Sequence, residues 1–174
     1  MSNSPTDREH WSRVAREWIE WARLPGHDAF WAYRESLVNF FGPGGGEALD
    51  LGCGEGRVSR VMKGLGYRVT ASDPVAELVK AAIEVDSAHD YAVADATALP
   101  LTDSRFEGTE ERNGLQMHFA GSSQPLEVYA SALEGAGLAI TSLREPIPDH
   151  LHGHDYLTRW TRVPLFLWLK ARRL

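Results

Sequence analysis

The stretch Ala48-Leu49-Asp50-Leu51-Gly52-Cys53-Gly54-Glu55-Gly56-Arg57 decides the reading of this chain. Glu47 to Leu51, followed by glycines, reads as a short strand. Three glycines then follow at every second position. Glycine lets a backbone turn sharply and come close to a ligand. The residues from about Gly56 to Leu65 read as a helix, with Gly66 as its stop. A helix starting there presents free N–H groups and the positive end of its dipole to whatever lies over the loop. Two other glycine signatures do not fit. The dinucleotide fingerprint G-x-G-x-x-G places its third glycine one residue later, and a P-loop needs a lysine after its last glycine.

Working outward, Arg68 to Ser72 reads as a second strand, and Pro74 stands at the start of a helix over Val75 to Val85. Tyr91 to Ala94 reads as a third strand. Strand-helix-strand-helix-strand is the pattern of a parallel α/β sheet. Asp73 closes the second strand, where an acidic residue is placed to receive ribose hydroxyls. The same position suits a helix cap before Pro74. Asp95 follows the third strand and equally suits a turn. Sites at the ends of successive strands converge on one crevice, where open α/β sheets bind ligands.

This arrangement resembles motif I and the following strands of the class I S-adenosylmethionine (SAM)-dependent methyltransferases, in particular the small-molecule, type 11-like ones. The resemblance implies a Rossmann-like, doubly wound, mostly parallel sheet with an N-terminal helical cover. It implies SAM as cofactor and S-adenosylhomocysteine (SAH) as product. On it, the loop of Asp50, Gly52, Cys53, Gly54 and Gly56 faces the methionine part of SAM. Asp73 with Pro74 receives the ribose. Asp95 and Ala96 reach the adenine, within a stretch, Asp95 to Asp103, that also resembles the family. The ends fit as well. Thr6 to Glu9 forms a capping box before a helix carrying Trp11, Val14, Ala15, Trp18 and Ala22. Pro25-Gly26 ends it, and Asp28 caps a second helix bearing Phe30, Tyr33, Leu37, Val38 and Phe41. Leu126 to Ala136 reads as a late helix, with strands at Leu138 to Leu143 and Val163 to Ala171. The chain divides into a cover (residues 1–46), a SAM-binding half (47–106) and a C-terminal part (107–174).

One piece of the family's plan is missing. After the Asp95 segment the family continues with a strand, a helix and a fifth strand. Here seven residues, Glu107 to Asn113, separate Phe106 from Gly114. A strand-helix-strand unit needs roughly 30. Strands four and five are therefore absent from that place, and the fold is truncated in its middle. Strand four sits beside strand one in the family, so its loss bares a sheet edge, which tends to pair with another chain. An incomplete sequence, an internal deletion and a shortened fold completed by homodimerisation all account for this. The expected function is methyl transfer from SAM to a small-molecule acceptor. The alternative is a catalytically impaired SAM- or SAH-binding protein.

Composition bounds the rest. The chain has 174 residues and a formal net charge of −6. Net negative charge argues against a general nucleic-acid binder, which works by neutralising phosphates. No apolar run is long enough for a membrane span. The single cysteine, Cys53, forms no intrachain disulfide and suits the reducing cytoplasm. With no activating base in sight it reads as a small buried residue rather than a nucleophile. The catalytic residue is left unassigned. His27, in the Pro25-Gly26-His27-Asp28 loop, is the preferred candidate for a general base over His118, since histidine titrates near neutrality. Trp31 and Tyr33 suit an acceptor pocket or a core. His150, His152 and His154, with Asp155, form an H-x-H-x-H pattern that reads as a polar loop, so no metal is expected.

Overall fold

The computed structural model describes residues 6–94, 104–123, 125–149, 157–158, 161–162 and 165–174. Its N-terminal layer is helical. α1 (Asp7–Arg13) opens on the capping box, with the Thr6 hydroxyl accepting from the Glu9 amide and the Glu9 carboxylate accepting from the Thr6 amide. α2 (Ala15–Arg23) follows directly. The apolar spacing predicts one helix here, but Val14 leaves helical geometry at φ −102°, ψ 12° and divides it in two. Val14 is β-branched, and its χ1 is crowded against the preceding turn. α3 (Ala29–Phe41) is capped by Asp28, whose side chain accepts from the Phe30 amide.

β1 (Glu47–Leu51), α4 (Arg57–Gly64), β2 (Arg68–Asp73), α5 (Ala76–Glu84) and β3 (Asp90–Val93) then form the predicted parallel unit. The sheet runs in the order β1-β2-β3 and pairs Glu47 with Arg68 through Leu51 with Ser72. β2 is central and buried, with Val69 and Ala71 fully enclosed. Met62 and Val58 of α4 pack on them, with Cys53 and Ala88. A second cluster joins Ala15, Trp11 and Trp18 of the cover to Val75 and Leu78 at α5.

Among the described residues the parallel sheet has three strands, fewer than a complete doubly wound sheet. Among the described residues β1 has β2 as its one neighbour. Its alternation puts Leu49 and Leu51 outward, 58% and 61% exposed. Burying one leucine side chain is worth about 1.5–3 kcal/mol, so this face of β1 is a costly surface to leave uncovered. The remaining strands make two antiparallel ribbons: β4 (Ser104–Arg112) with β5 (Leu115–Ser123), and β6 (Leu138–Arg144) with β7 (Trp168–Arg173). Between them lies α6 (Leu126–Gly135), which buries no residue.

The polar run Glu107 to Arg112, to which the sequence assigns no element, belongs to a strand. It leaves a turn in which Asn113 and Gly114 both have positive φ, 52° and 79°, as a two-residue type I′ hairpin requires. The final strand begins at Trp168, not Val163. The three-histidine segment, with Asp155, lies outside the described residues, as do Asp95 and Ala96.

Candidate functional site

The loop between β1 and α4 is hydrogen-bonded to the end of β2. The amides of Gly52 and Cys53 both donate to the Ser72 carbonyl, at 2.8 and 3.0 Å, tying the loop to the end of β2. Gly52, Gly54 and Gly56 all have positive φ. At Gly56 no other residue fits. A Cβ there would lie 2.4 Å from the Ser87 hydroxyl and 3.0 Å from the Ala82 Cβ. Gly56 is also the N-cap of α4 and has no side chain to offer. The cap comes from β1 instead. The Ser59 hydroxyl, in the first turn of α4, donates to Asp50 at 2.5 Å, and the Ser59 amide also stabilises that carboxylate. Burial nevertheless holds the Asp50 carboxyl above its ordinary range.

Asp73 joins the two strand ends. One of its carboxylate oxygens accepts from the Gly54 amide and the other from the Val75 amide, each at 2.9 Å. Asp73 thus closes an Asx turn ahead of α5 rather than capping the helix, whose N-cap is Val75 and carries no side-chain cap. Pro74 sits inside that turn, and α5 begins at Ala76. Cys53 is buried beneath the loop. Burial, with the carboxylates of Asp50 and Asp73 adding to it, pushes its thiol up to about 12. Such a thiol is protonated at neutral pH and is no nucleophile.

The helical cover closes on this loop. A Cβ on Gly54 would meet the Trp18 indole nitrogen at 3.0 Å. The Arg57 guanidinium lies 4.9 Å from the Trp18 ring centroid and 4.5 Å from that of Phe30, and it pairs with Asp28. The sequence reading passed over Glu55, which proves to be almost wholly buried, at 1% exposed. Arg23 of α2 reaches it at 3.3 Å and Arg60 of α4 reaches both its oxygens at 2.8 Å. The sequence held no signal for this, since Arg23 stands 32 residues from Glu55 along the chain.

His27 is buried between the cover and the β4–β5 ribbon. Its ring stands edge-on to Trp21 at 4.4 Å. Nδ1 lies 3.4 Å from the Asn113 amide nitrogen, and Nε2 has no hydrogen-bond partner among the described residues. Arg112 donates to the His27 carbonyl and stacks over Trp21. Burial, and then the charge of Arg112, lowers the His27 pKa. His118 is exposed and bonded to Thr109, with its carbonyl facing His10. Tyr33 is a core residue of α3, packed with Ala32 and Leu157. The Trp31 ring meets Phe30 edge-on. No group of three metal-ligating side chains lies together among the described residues.

The sequence profile of the family described as "Methyltransferase domain" matches residues 49–109, from β1 into β4. A malonyl-[acyl-carrier protein] O-methyltransferase of Salmonella typhimurium is 33% identical over 134 residues, covering 75% of this chain and 51% of that one. The chain spans about half or less of the length of the curated relatives it matches. Among solved structures, an S-adenosylmethionine-dependent methyltransferase from Mesorhizobium loti superposes with a TM-score of 0.58 at 18% identity, covering 84% of this chain and 98% of that one. The [4+2]-cyclase SpnF superposes at 0.51 and 15% identity over 95% of each chain. The chain has the fold of the class I SAM-dependent methyltransferases. That one neighbour is named for a cyclisation shows that the fold alone does not fix the reaction.

Proposed function

We propose that this chain is the SAM-binding part of a methyltransferase acting on a small or carrier-borne acceptor. The observation that carries the proposal is the joint at the strand ends. A loop of left-handed glycines after β1 is bonded through Gly54 to the terminal carboxylate of β2 and runs into the N-terminus of α4. The residues present fit the cofactor. A Cβ built on Gly52 meets nothing within 4 Å, so the loop backbone is open to a ligand there. The start of α4 suits the methionine carboxylate. A carboxylate offers about four lone-pair sites, so holding the loop and receiving ribose hydroxyls are compatible roles for Asp73. The cofactor-binding set on this reading is Asp50, Gly52, Cys53, Gly54, Gly56, Asp73 and Pro74, with Asp95 and Ala96 beyond the third strand.

Bound SAM supplies a methyl group already activated on its sulfonium. The chain's own work is then to bind, align and exclude water. Asp50 holds α4 against the loop, Asp73 fixes Gly54, and Trp18 with Arg57 covers the loop from the solvent side. The Salmonella typhimurium relative carries the name malonyl-[acyl-carrier protein] O-methyltransferase, and we propose a carboxylic acid as the acceptor class here. A carboxylate brings no proton to remove, so no general base is required. The neutral, buried His27 then serves the cover rather than the chemistry. The bare edge of β1 is the proposed seat of a second copy, paired through Leu49 and Leu51. The proposed setting is the cytoplasm. Among the described residues no helix is long and apolar enough to cross a membrane.

The test is transfer of labelled methyl from SAM to malonyl-[acyl-carrier protein] and to free small carboxylic acids, alongside calorimetric titration with SAH. The proposal expects SAH binding and label in a base-labile ester. Binding without label on any acceptor points to the impaired binding protein. A folded chain that does not bind SAH refutes the cofactor assignment.

A further inference from the structure

We infer that Glu55 is a positioning residue for the cofactor loop, which it locks to the N-terminal cover through Arg23. The inference rests on the assignment of that loop to SAM. Glu55 lies between Gly54, whose amide serves Asp73, and Gly56, which opens α4. Its carboxylate is the centre of a hydrogen-bond network. The Arg60 guanidinium binds both carboxylate oxygens at 2.8 Å, the Glu55 carbonyl at 2.9 Å and the Ser87 hydroxyl at 2.8 Å. The Arg23 guanidinium binds a Glu55 oxygen at 3.3 Å and, through its other arm, the Ala81 carbonyl in α5 at 2.8 Å. One buried carboxylate thereby joins α2, the glycine loop, α4 and α5.

Stability alone does not explain such a network. Replacing a buried ion pair with apolar groups of similar volume is often neutral or stabilising. What charged, forked hydrogen bonds supply is fixed geometry. Here they hold the loop at Glu55, from Arg60 of α4 and from Arg23, the last residue of α2. Trp18 of the same helix rests against Gly54. α2 therefore touches the loop at Glu55 and again at Gly54, and the position of the cover and the shape of the loop are set together.

The test measures SAH affinity by calorimetry at a temperature where circular dichroism shows each protein fully folded. Glu55→Gln keeps volume and one acceptor but loses the charge. Arg23→Leu removes the cover's arm from a side chain that is one-third exposed, leaving the loop's own residues in place. The expected result is a rise in Kd of about tenfold for Glu55→Gln and a smaller rise for Arg23→Leu. The double variant should be no weaker than Glu55→Gln, because both changes cut one link. A purely structural role moves Tm and leaves the Kd of folded protein unchanged. Wild-type binding with unchanged Kd in both variants overturns the inference alone. If Glu55→Gln does not fold, an unchanged Kd in Arg23→Leu overturns it. Wild-type protein that binds no SAH overturns the cofactor assignment and this inference together.

Discussion

Residues 47–93 and residues 104–173 are built from the same kinds of element and are held in opposite ways. In the first stretch every loop is tied to a neighbouring strand or helix: Gly52 and Cys53 to Ser72, Asp50 to Ser59, Asp73 to Gly54 and Val75, Glu55 to two arginines. In the second, among the described residues, each strand has one hydrogen-bonded partner and α6 buries nothing. Of these strands only β5 is buried, through Met117 and Ala120, with Phe119 against Trp18 and Trp21 of the cover. Leu126, Tyr129, Ile140 and Leu143 stand exposed. The parallel unit needs its crossovers and so acquires an interior, whereas a two-stranded ribbon is marginal until something covers it. Among the described residues the first stretch has its own open edge at β1, which pairs with β2 alone.

Replacing glycine by alanine in each half tests this contrast most severely. Gly56→Ala sets a methyl group against Ser87 and strains a left-handed residue, which should cost roughly 3 kcal/mol. Gly135→Ala meets open space in a helix and should stabilise by roughly 0.5 kcal/mol. Urea denaturation of both variants decides the matter, and equal effects would erase the distinction. Next in size, Asn113→Ala forces alanine into a positive-φ turn position and should destabilise by about 1 kcal/mol. SAH affinity should stay unchanged, because the ribbon lies outside the loop network. A fall in affinity equal to that of a loop variant would join the two regions that this comparison separates.

A pH series sharpens the junction between cover and ribbon. His27 has a lowered pKa in the folded protein, so the unfolded chain binds the extra proton first. Its contribution is therefore full above the unfolded value of about 6.5 and is lost as pH falls toward the folded value. Thermal melts from pH 8 to pH 5 should show a shallower acid decline in His27→Gln than in wild type. Identical declines would remove His27 from the account. The smallest effect on the monomer belongs to Leu49→Lys with Leu51→Lys. Exposed positions usually tolerate change within about 0.5 kcal/mol, yet the pair should abolish any dimer seen by sedimentation. A dimer that survives is built elsewhere.

The parallel unit was legible because its signals are local and strong. Glu47 to Leu51 and the helices after Gly56 and Pro74 follow from glycine punctuation and apolar period, and the observed elements differ by a residue or so. The same holds for the caps at Thr6 and Asp28. The β4–β5 ribbon was not read, because a strand buried on at most one side, written Glu107-Gly108-Thr109-Glu110-Glu111-Arg112, shows no apolar alternation. Only Asn113-Gly114 marked it. Val14 was missed because a period of 3.6 persists across a one-residue break. At the site, the glycines and Asp73 could be named from spacing. The place of Glu55 could not, since a buried acid is recognisable only when the arginines that neutralise it are brought round by the fold.

The most direct test of the central claim, that the β1–α4 loop is a SAM-binding loop, is hydrogen–deuterium exchange with and without SAH. The account predicts slower exchange at Gly52 to Gly56 and around Asp73 to Val75, spreading to α2, with no change over Leu138 to Arg144 or Trp168 to Arg173. Unaltered exchange in the loop, or protection confined to the C-terminal ribbons, would contradict it.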